Sequence, residues 1–395
     1  MTGVEILFWL CLGVCVYVYF GYPALMAVLA RIRPRPVERA SVRPLVTVLV
    51  PAYNEEEVIG AKIENCLELS YPRESLEVLV VSDGSTDGTD EEVLRLAAIH
   101  PDTVRLLHRE RAGKAFALNL GAEAAQGEIL VLTDANAMLE RDALARLVEP
   151  FADPGVGGVC GRKRYRTGPE GDTTGEGEGL YWRFDQWLKE RESRVGSVFA
   201  ADGALYAVRR RLYVPLADPA QADDIAVSAR IVLQGRRLLF EPSAVVWEEA
   251  PAEGREELRR KIRVTNHSVR ALWNLGPALW SSGFYSLQLL SHKLVRHLLP
   301  FFLVPVFVTN LVLAPISALY GWLLGGQVVF YLLALAGFLL RHRWLGGWRI
   351  FSVPYYFTLV NLAAFLGVLS ILKGERQARW EPRQGLAPPR EDHDS

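Results

Sequence analysis

The chain has 395 residues, half of them hydrophobic, and 44 basic against 45 acidic side chains leave a formal charge of −1. So even a balance carries no electrostatic footprint for nucleic acid, and no such partner is expected. Four cysteines without a CxxC pair supply neither a disulfide framework nor a zinc cluster.

Apolar residues pile up at the N-terminus and beyond Leu294, whereas charged residues concentrate between Arg31 and Arg270. That is the pattern of a water-soluble domain flanked by membrane segments. Residues 4–30 are almost uninterrupted apolar sequence, with aromatics at Trp9, Tyr17, Tyr19 and Tyr22. No Lys or Arg precedes this run, while Arg31, Arg33, Arg35, Arg39 and Arg43 come after it. The order predicts a retained transmembrane helix over 1–30 instead of a cleaved signal peptide, then a basic linker over 31–43. It also puts the next domain on the cytoplasmic face of the inner (plasma) membrane.

Between 44 and 250, short apolar runs alternate with helical patterns. Runs at 45–50, 76–81, 104–107 and 129–133 read as buried strands, and 55–69, 89–99 and 114–125 read as helices between them. Parallel strands with crossover helices predict an α/β fold, a doubly wound sheet whose ligands bind outside the carboxyl ends of the strands. The residues just past those runs form a consistent set: Pro51-Ala52-Tyr53-Asn54-Glu55, Asp83-Gly84-Ser85-Thr86-Asp87-Gly88, Arg111-Ala112-Gly113-Lys114 and Asp134-Ala135-Asn136. Neither GxGxxG nor GxxxxGK[ST] is present, which argues against a dinucleotide fold and a P-loop ATPase. Residues 171–179 read as a flexible loop ahead of Tyr181-Trp182-Arg183-Phe184, aromatics suited to core packing or to stacking on a sugar face. Asp223-Asp224 opens a helical stretch after a Pro/Ala-rich loop.

Residues 251–293 hold two basic, amphipathic stretches, 255–273 and 283–297, expected to lie along the membrane interface with His292 and His297. The segment 294–372 carries three further crossings, 294–320, 322–340 and 351–372, joined by an arginine-rich loop at 341–349. Four crossings place the tail outside, although Lys373, Arg376 and Arg379 argue for the inside. The tail, 373–395, is polar and is expected to be disordered from Trp380 onward.

The motifs VTVLVPAYNEE, SDGSTDGT, GKAFALNLG, LTDANA, ADGALYAVRR and DDIAVSARIVLQGRR, in this order, resemble the family-2 glycosyltransferases. More narrowly, the chain is similar to their membrane-bound bacterial branch of cellulose- and hyaluronan-synthase-like enzymes. The resemblance spans about residues 43–270. It implies a GT-A sheet domain with one N-terminal and about three C-terminal transmembrane helices, an inverting mechanism and a nucleotide-diphosphate sugar donor, a UDP-sugar first among them. By the same resemblance Pro51, Tyr53, Glu55, Asp83, Lys114, Asp134 and Arg263 bind the nucleotide. Asp134 and Asn136 hold Mg²⁺ or Mn²⁺, the asparagine standing where the family has a second acid. Asp202, Gly203 and Asp223 form the acceptor site, and Asp224 is the catalytic base. Local chemistry alone also allows Asp83, Asp134, Asn136 and Asp224 to be turn or helix caps.

The stretch Arg260-Lys261-Ile262-Arg263-Val264 stands where the processive enzymes carry Gln-x-x-Arg-Trp, and only Arg263 is kept. Transfer to a lipid-linked or polysaccharide acceptor is therefore expected, with processive synthesis as the alternative. A catalytically inactive nucleotide-binding membrane scaffold is the competitor of another class, with Asn136 as its support. No protein partner is indicated.

Overall fold

The computed structural model describes residues 2–166, 173–218, 222–249, 255–341 and 343–374. Among them one sheet of eight strands runs in the order β3-β2-β1-β4-β7-β6-β8-β5. The strands are β1 Val46–Ala52, β2 Leu76–Asp83, β3 Val104–Arg109, β4 Ile129–Leu132, β5 Met138–Leu139, β6 Val156–Arg166, β7 Tyr206–Arg209 and β8 Arg237–Glu249. The first four are the runs read from sequence, and they pair in parallel as expected. Past β4 the sheet turns mixed, because β7 pairs antiparallel with both β4 and β6.

The parallel half is buried on both faces, so its strands read as continuous apolar runs. On one face Val46, Val48 and Val50 pack with Ile59, Ile63, Leu144 and Leu147. On the other, Leu49, Leu79 and Val81 pack under Ala117 and Leu118 of the helix Lys114–Ala124. That helix sits unusually low: a Cβ on Gly121 would lie 2.2 Å from Leu49 Cδ1. Close seating fixes the height of Lys114, the helix's first residue, over the strand ends.

Among the described residues three helices are long and apolar enough to cross a membrane: Gly3–Ile32, Ala318–Leu340 and Arg349–Leu372. A fourth span exists only if Phe284–Leu298 and Pro300–Leu313 act as one, and they are bent by 55°. The single crossing expected over 294–320 is therefore broken. Pro300 stands at the break: Leu299 before it keeps helical backbone, but Pro300 has no N–H to donate to the preceding turn, and its ring crowds that turn. The last helix, Arg349–Leu372, has half of its apolar window buried, against 11% for Ala318–Leu340. It packs on the amphipathic helix Arg255–Asn274, where Asn266 Nδ2 donates to Ser370 Oγ at 2.7 Å.

Two other expectations are corrected. A helix, Thr173–Val195, begins inside the stretch read as a loop, because a helix with packed later turns propagates back through glycines of poor intrinsic propensity. Residues 167–172 and the tail from 375 lie outside the described residues. His292, read as interfacial, is buried. It bonds Glu192 Oε1 at 2.8 Å through Nδ1 and Asp185 Oδ1 at 3.3 Å through Nε2, both on Thr173–Val195. The Tyr22 hydroxyl of the N-terminal helix donates to the same Glu192.

Candidate active site

The strand ends place the first group of side chains. Pro51 lies in β1 opposite Val81, and Tyr53 and Glu55 come directly after that strand, with the Glu55 N–H donating to Thr89 Oγ1 at 2.8 Å. Asp83 is the last residue of β2 and is almost fully buried. Its two carboxylate oxygens accept the N–H groups of Ala112 at 2.9 Å and Gly113 at 2.7 Å, and Arg109 Nε stands 3.5 Å away. Two amide bonds leave a carboxylate with lone pairs to spare for a ligand hydroxyl. Gly84 is required beside it. Its φ is +72°, and a Cβ there would fall 2.8 Å from the Arg111 nitrogen. The loop so docked carries the Arg111 guanidinium over the Tyr53 ring, 3.1 Å from its centroid.

Gly113, at φ +105°, turns the chain into the helix that begins with Lys114. The Lys114 ammonium is held by Asp134 Oδ1 at 2.7 Å and faces Asp223 Oδ2 at 3.5 Å. Burial alone would lower its pKa, but the carboxylates of Asp134 and then Asp223 outweigh that and hold it above the usual lysine range. Asp134 stands two residues past β4, and Asn136 sits half-buried in the turn beyond it. Beneath that turn lies Lys62, fully buried, which donates to Thr133 Oγ1 at 3.0 Å and to the Ala137 carbonyl. Sequence reading misses this brace. Its one signal is a lysine set among Ile59, Ile63 and Cys66 on an apolar helix face.

The second group surrounds Asp224. The helix Asp223–Leu233 starts with both acids in its first turn, where the helix dipole favours negative charge. Asp224 Oδ1 accepts the Ile225 N–H at 2.8 Å, and Oδ2 lies 4.0 Å from where a Cβ on Gly203 would be. Burial first, and the Asp223 charge second, push the Asp224 carboxyl up to about 6; Asp202 adds to this and Lys293 opposes it. Asp202 itself bonds Lys163 at 3.2 Å and the Ala204 N–H at 3.1 Å. Burial would raise its pKa, yet Lys163 and Lys189 together keep it below the usual carboxylate range.

Lys163, on β6, also faces Glu248 at 3.8 Å and lies 4.5 Å from the Trp182 ring centroid. Neither Lys163 nor Lys293 is evident from the sequence. The Tyr206 hydroxyl is buried without a hydrogen-bond partner among the described residues, within the field of Asp223, Asp224 and Asp134.

The expected residues at the strand ends and around Asp224 thus fall into two linked groups. Lys114, Asp134 and Asp223 meet directly; Asp223 adjoins Asp224, and Asp224 adjoins Gly203 and Asp202. Asp83, Tyr53 and Arg111 are tied to them through the 111–114 loop. Arg263 lies half-buried on Arg255–Asn274, and its neighbours Arg260 and Lys261 pair with Glu257 at 2.7 and 3.2 Å. Among the described residues no three His, Cys, Asp or Glu side chains converge as a metal-holding group.

Residues 47–213 match the family described as Glycosyl transferase family 2. The chain is 29% identical over 211 residues to a poly-beta-1,6-N-acetyl-D-glucosamine synthase of Staphylococcus aureus, covering 52% of this chain and 50% of that one. It is 34% identical over 194 residues to a beta-monoglucosyldiacylglycerol synthase of a Nostoc species, covering 48% and 41%. It therefore spans about half, or less, of the length of these curated relatives. Among solved structures, a mannosyltransferase of Pyrobaculum calidifontis, in complex with GDP-Man and Mn²⁺, is similar over 93% of this chain and 99% of its own, at 28% identity and a TM-score of 0.70. The motif order, the sheet and these matches agree: the sheet domain of this chain has the GT-A fold and, over residues 47–213, is similar to glycosyltransferase family 2.

Proposed function

We propose that the chain is an inverting glycosyltransferase that moves a sugar from a nucleoside-diphosphate donor to a lipid-linked or polysaccharide acceptor at the cytoplasmic membrane face. The observation that carries this reading is the placement of Asp224. A buried carboxyl pushed up to about 6 stands beside the open space at Gly203, one residue from the acid that faces Lys114. Inversion needs one base to take the acceptor hydroxyl's proton as that oxygen attacks opposite the leaving group. A pKa near working pH suits the task. Gly203 leaves room for the acceptor, and Lys163 with Trp182 offers a polar edge and an aromatic wall beside it.

The donor's nucleoside is assigned to Tyr53, Glu55, Asp83 and the strand end at Pro51, and its diphosphate to Lys114 and Arg263. The oxygen-rich surroundings of Lys114 already hold a positive charge between two carboxylates, so the residues present suit a hard divalent cation. Asp134 and Asn136 would hold it, and when bound it would offset charge on the departing diphosphate. The Pyrobaculum mannosyltransferase, with Mn²⁺ and GDP-Man bound, supports a divalent cation alongside a nucleoside-diphosphate sugar. Loss of the glutamine and tryptophan around Arg263 favours single addition over processive synthesis. Arginines after the first apolar helix favour the cytoplasmic orientation.

The test is to supply UDP- and GDP-sugars with Mn²⁺ or Mg²⁺ to membranes carrying the chain and to track release of nucleoside diphosphate and labelling of lipid or glycan. Metal-dependent release and labelling are expected. If every donor survives intact, the chain is a nucleotide-binding scaffold and not an enzyme.

A further inference from the structure

The chain's own ammonium stands against the carboxylate that is proposed to hold a cation. Lys114 Nζ lies 2.7 Å from Asp134 Oδ1, the one acidic member of the Asp134–Asn136 pair, and 3.5 Å from Asp223 Oδ2. Gly113 and the Asp83 clamp on the Ala112 and Gly113 amides fix the start of this helix, so Lys114 does not sit there by chance of a loose loop.

Charge balance sets the order in which ligands can enter. Within 3.5 Å, Asp134, Asp223 and Lys114 sum to a single negative charge; Asn136 adds none, and Asp224 acts on Lys114 only from farther off. A divalent ion arriving alone would meet an ammonium already on its best ligand and too little negative charge to hold both. A diphosphate changes both terms. It brings the missing negative charge, and its oxygens give the ammonium somewhere else to bond.

We infer that Lys114 is an internal stand-in for the metal, so that the divalent cation binds appreciably only once a nucleoside diphosphate has drawn Lys114 off Asp134. The inference rests on the glycosyltransferase reading and adds an order to it: donor and metal enter as a coupled pair. Coupling between two ligands is reciprocal, so the cation tightens nucleotide binding by the factor by which nucleotide tightens cation binding.

Mn²⁺ binding to the purified full chain in detergent, monitored by the loss of its free-ion electron paramagnetic resonance signal, tests this without turnover. The wild type is titrated alone, with UDP and with GDP, and Mn²⁺ taken up by the nucleotide itself is subtracted using protein-free titrations; Lys114→Met and Lys114→Gln are titrated alone, with thermal melts to show that they are folded. Nucleotide is expected to tighten Mn²⁺ binding by about tenfold or more, within the usual range of coupling between sites. Both variants are expected to bind Mn²⁺ without nucleotide about tenfold more tightly than the wild type. Asp134→Asn is expected to abolish binding throughout. Equal Mn²⁺ affinity with and without both nucleotides, or folded variants no tighter than the wild type, overturns the inference and leaves the proposed activity standing. Absence of Mn²⁺ binding in every mixture removes the metal from the proposed activity and the inference with it. If neither variant folds, the wild-type comparison decides alone.

Discussion

Replacing Asp224 by asparagine removes the proposed base with almost no change of shape. The Ile225 N–H bond at 2.8 Å can persist, weakened, because an amide oxygen still accepts it. The repulsion that helps push this carboxyl up to about 6 disappears, so the variant should fold at least as well as the parent. Losing a positioned base costs roughly 10²–10⁴ in rate, equivalent to about 3–5 kcal/mol of transition-state stabilisation.

The same value sets the pH dependence. A carboxyl with a pKa of about 6 is about nine-tenths ionised at pH 7 and about one-tenth at pH 5, so kcat/KM should fall about tenfold per unit below pH 6. Asp223→Asn removes the like charge beside it, so the acid limb should move to lower pH. The assay is nucleoside diphosphate release from a fixed donor between pH 5 and 8, with thermal unfolding as the control. Turnover by folded Asp224→Asn within about threefold of the parent, or a flat profile, refutes the assignment.

Two glycines give further expected outcomes. Gly203→Val adds carbon where only Asp224 Oδ2 stands within 4.0 Å, so the melting temperature should hold while transfer to acceptor falls on the order of a hundredfold and nucleotide affinity stays unchanged. Gly367→Leu pushes a side chain into Thr265, whose Cβ is 2.7 Å from the built position, and into the Ile262 carbonyl at 3.0 Å. It should separate the last helix from Arg255–Asn274 and cost ~1–3 kcal/mol, read by thermal unfolding in detergent.

The parallel half of the sheet is legible in the sequence because both of its faces are covered, which forces fully buried, mostly apolar runs such as Val46–Ala52. Asp83 and Asp134 are legible for the same reason: a polar residue ending such a run has little to do but meet a ligand or cap a turn. The mixed half is not. Strand β6 carries Arg162, Lys163 and Arg164, and register shifts interrupt its pairing with β8, so no two-residue alternation survives. Lys62 and Lys163 are hidden because a buried lysine looks like a surface one until its partners are placed. His292 is hidden likewise, its two carboxylate partners being 100 and 107 residues away in sequence. The break at Pro300 escapes a sequence reading since membrane helices often tolerate proline; here the chain uses it to turn a domain-packed helix into an apolar one.

The hydrogen bond from Tyr22 to Glu192 bears on any attempt to trim this chain into a soluble enzyme. Glu192 is fully enclosed, and it also bonds His292 and the Phe199 N–H, the latter at 3.1 Å. Cutting away residues 1–32 would strip one donor from an enclosed anion and lay open the apolar wall that Met26 and Leu188 now share. The first helix is thus less a tether than a missing piece of the catalytic body's wall, and a truncated version inherits a hole along with its solubility.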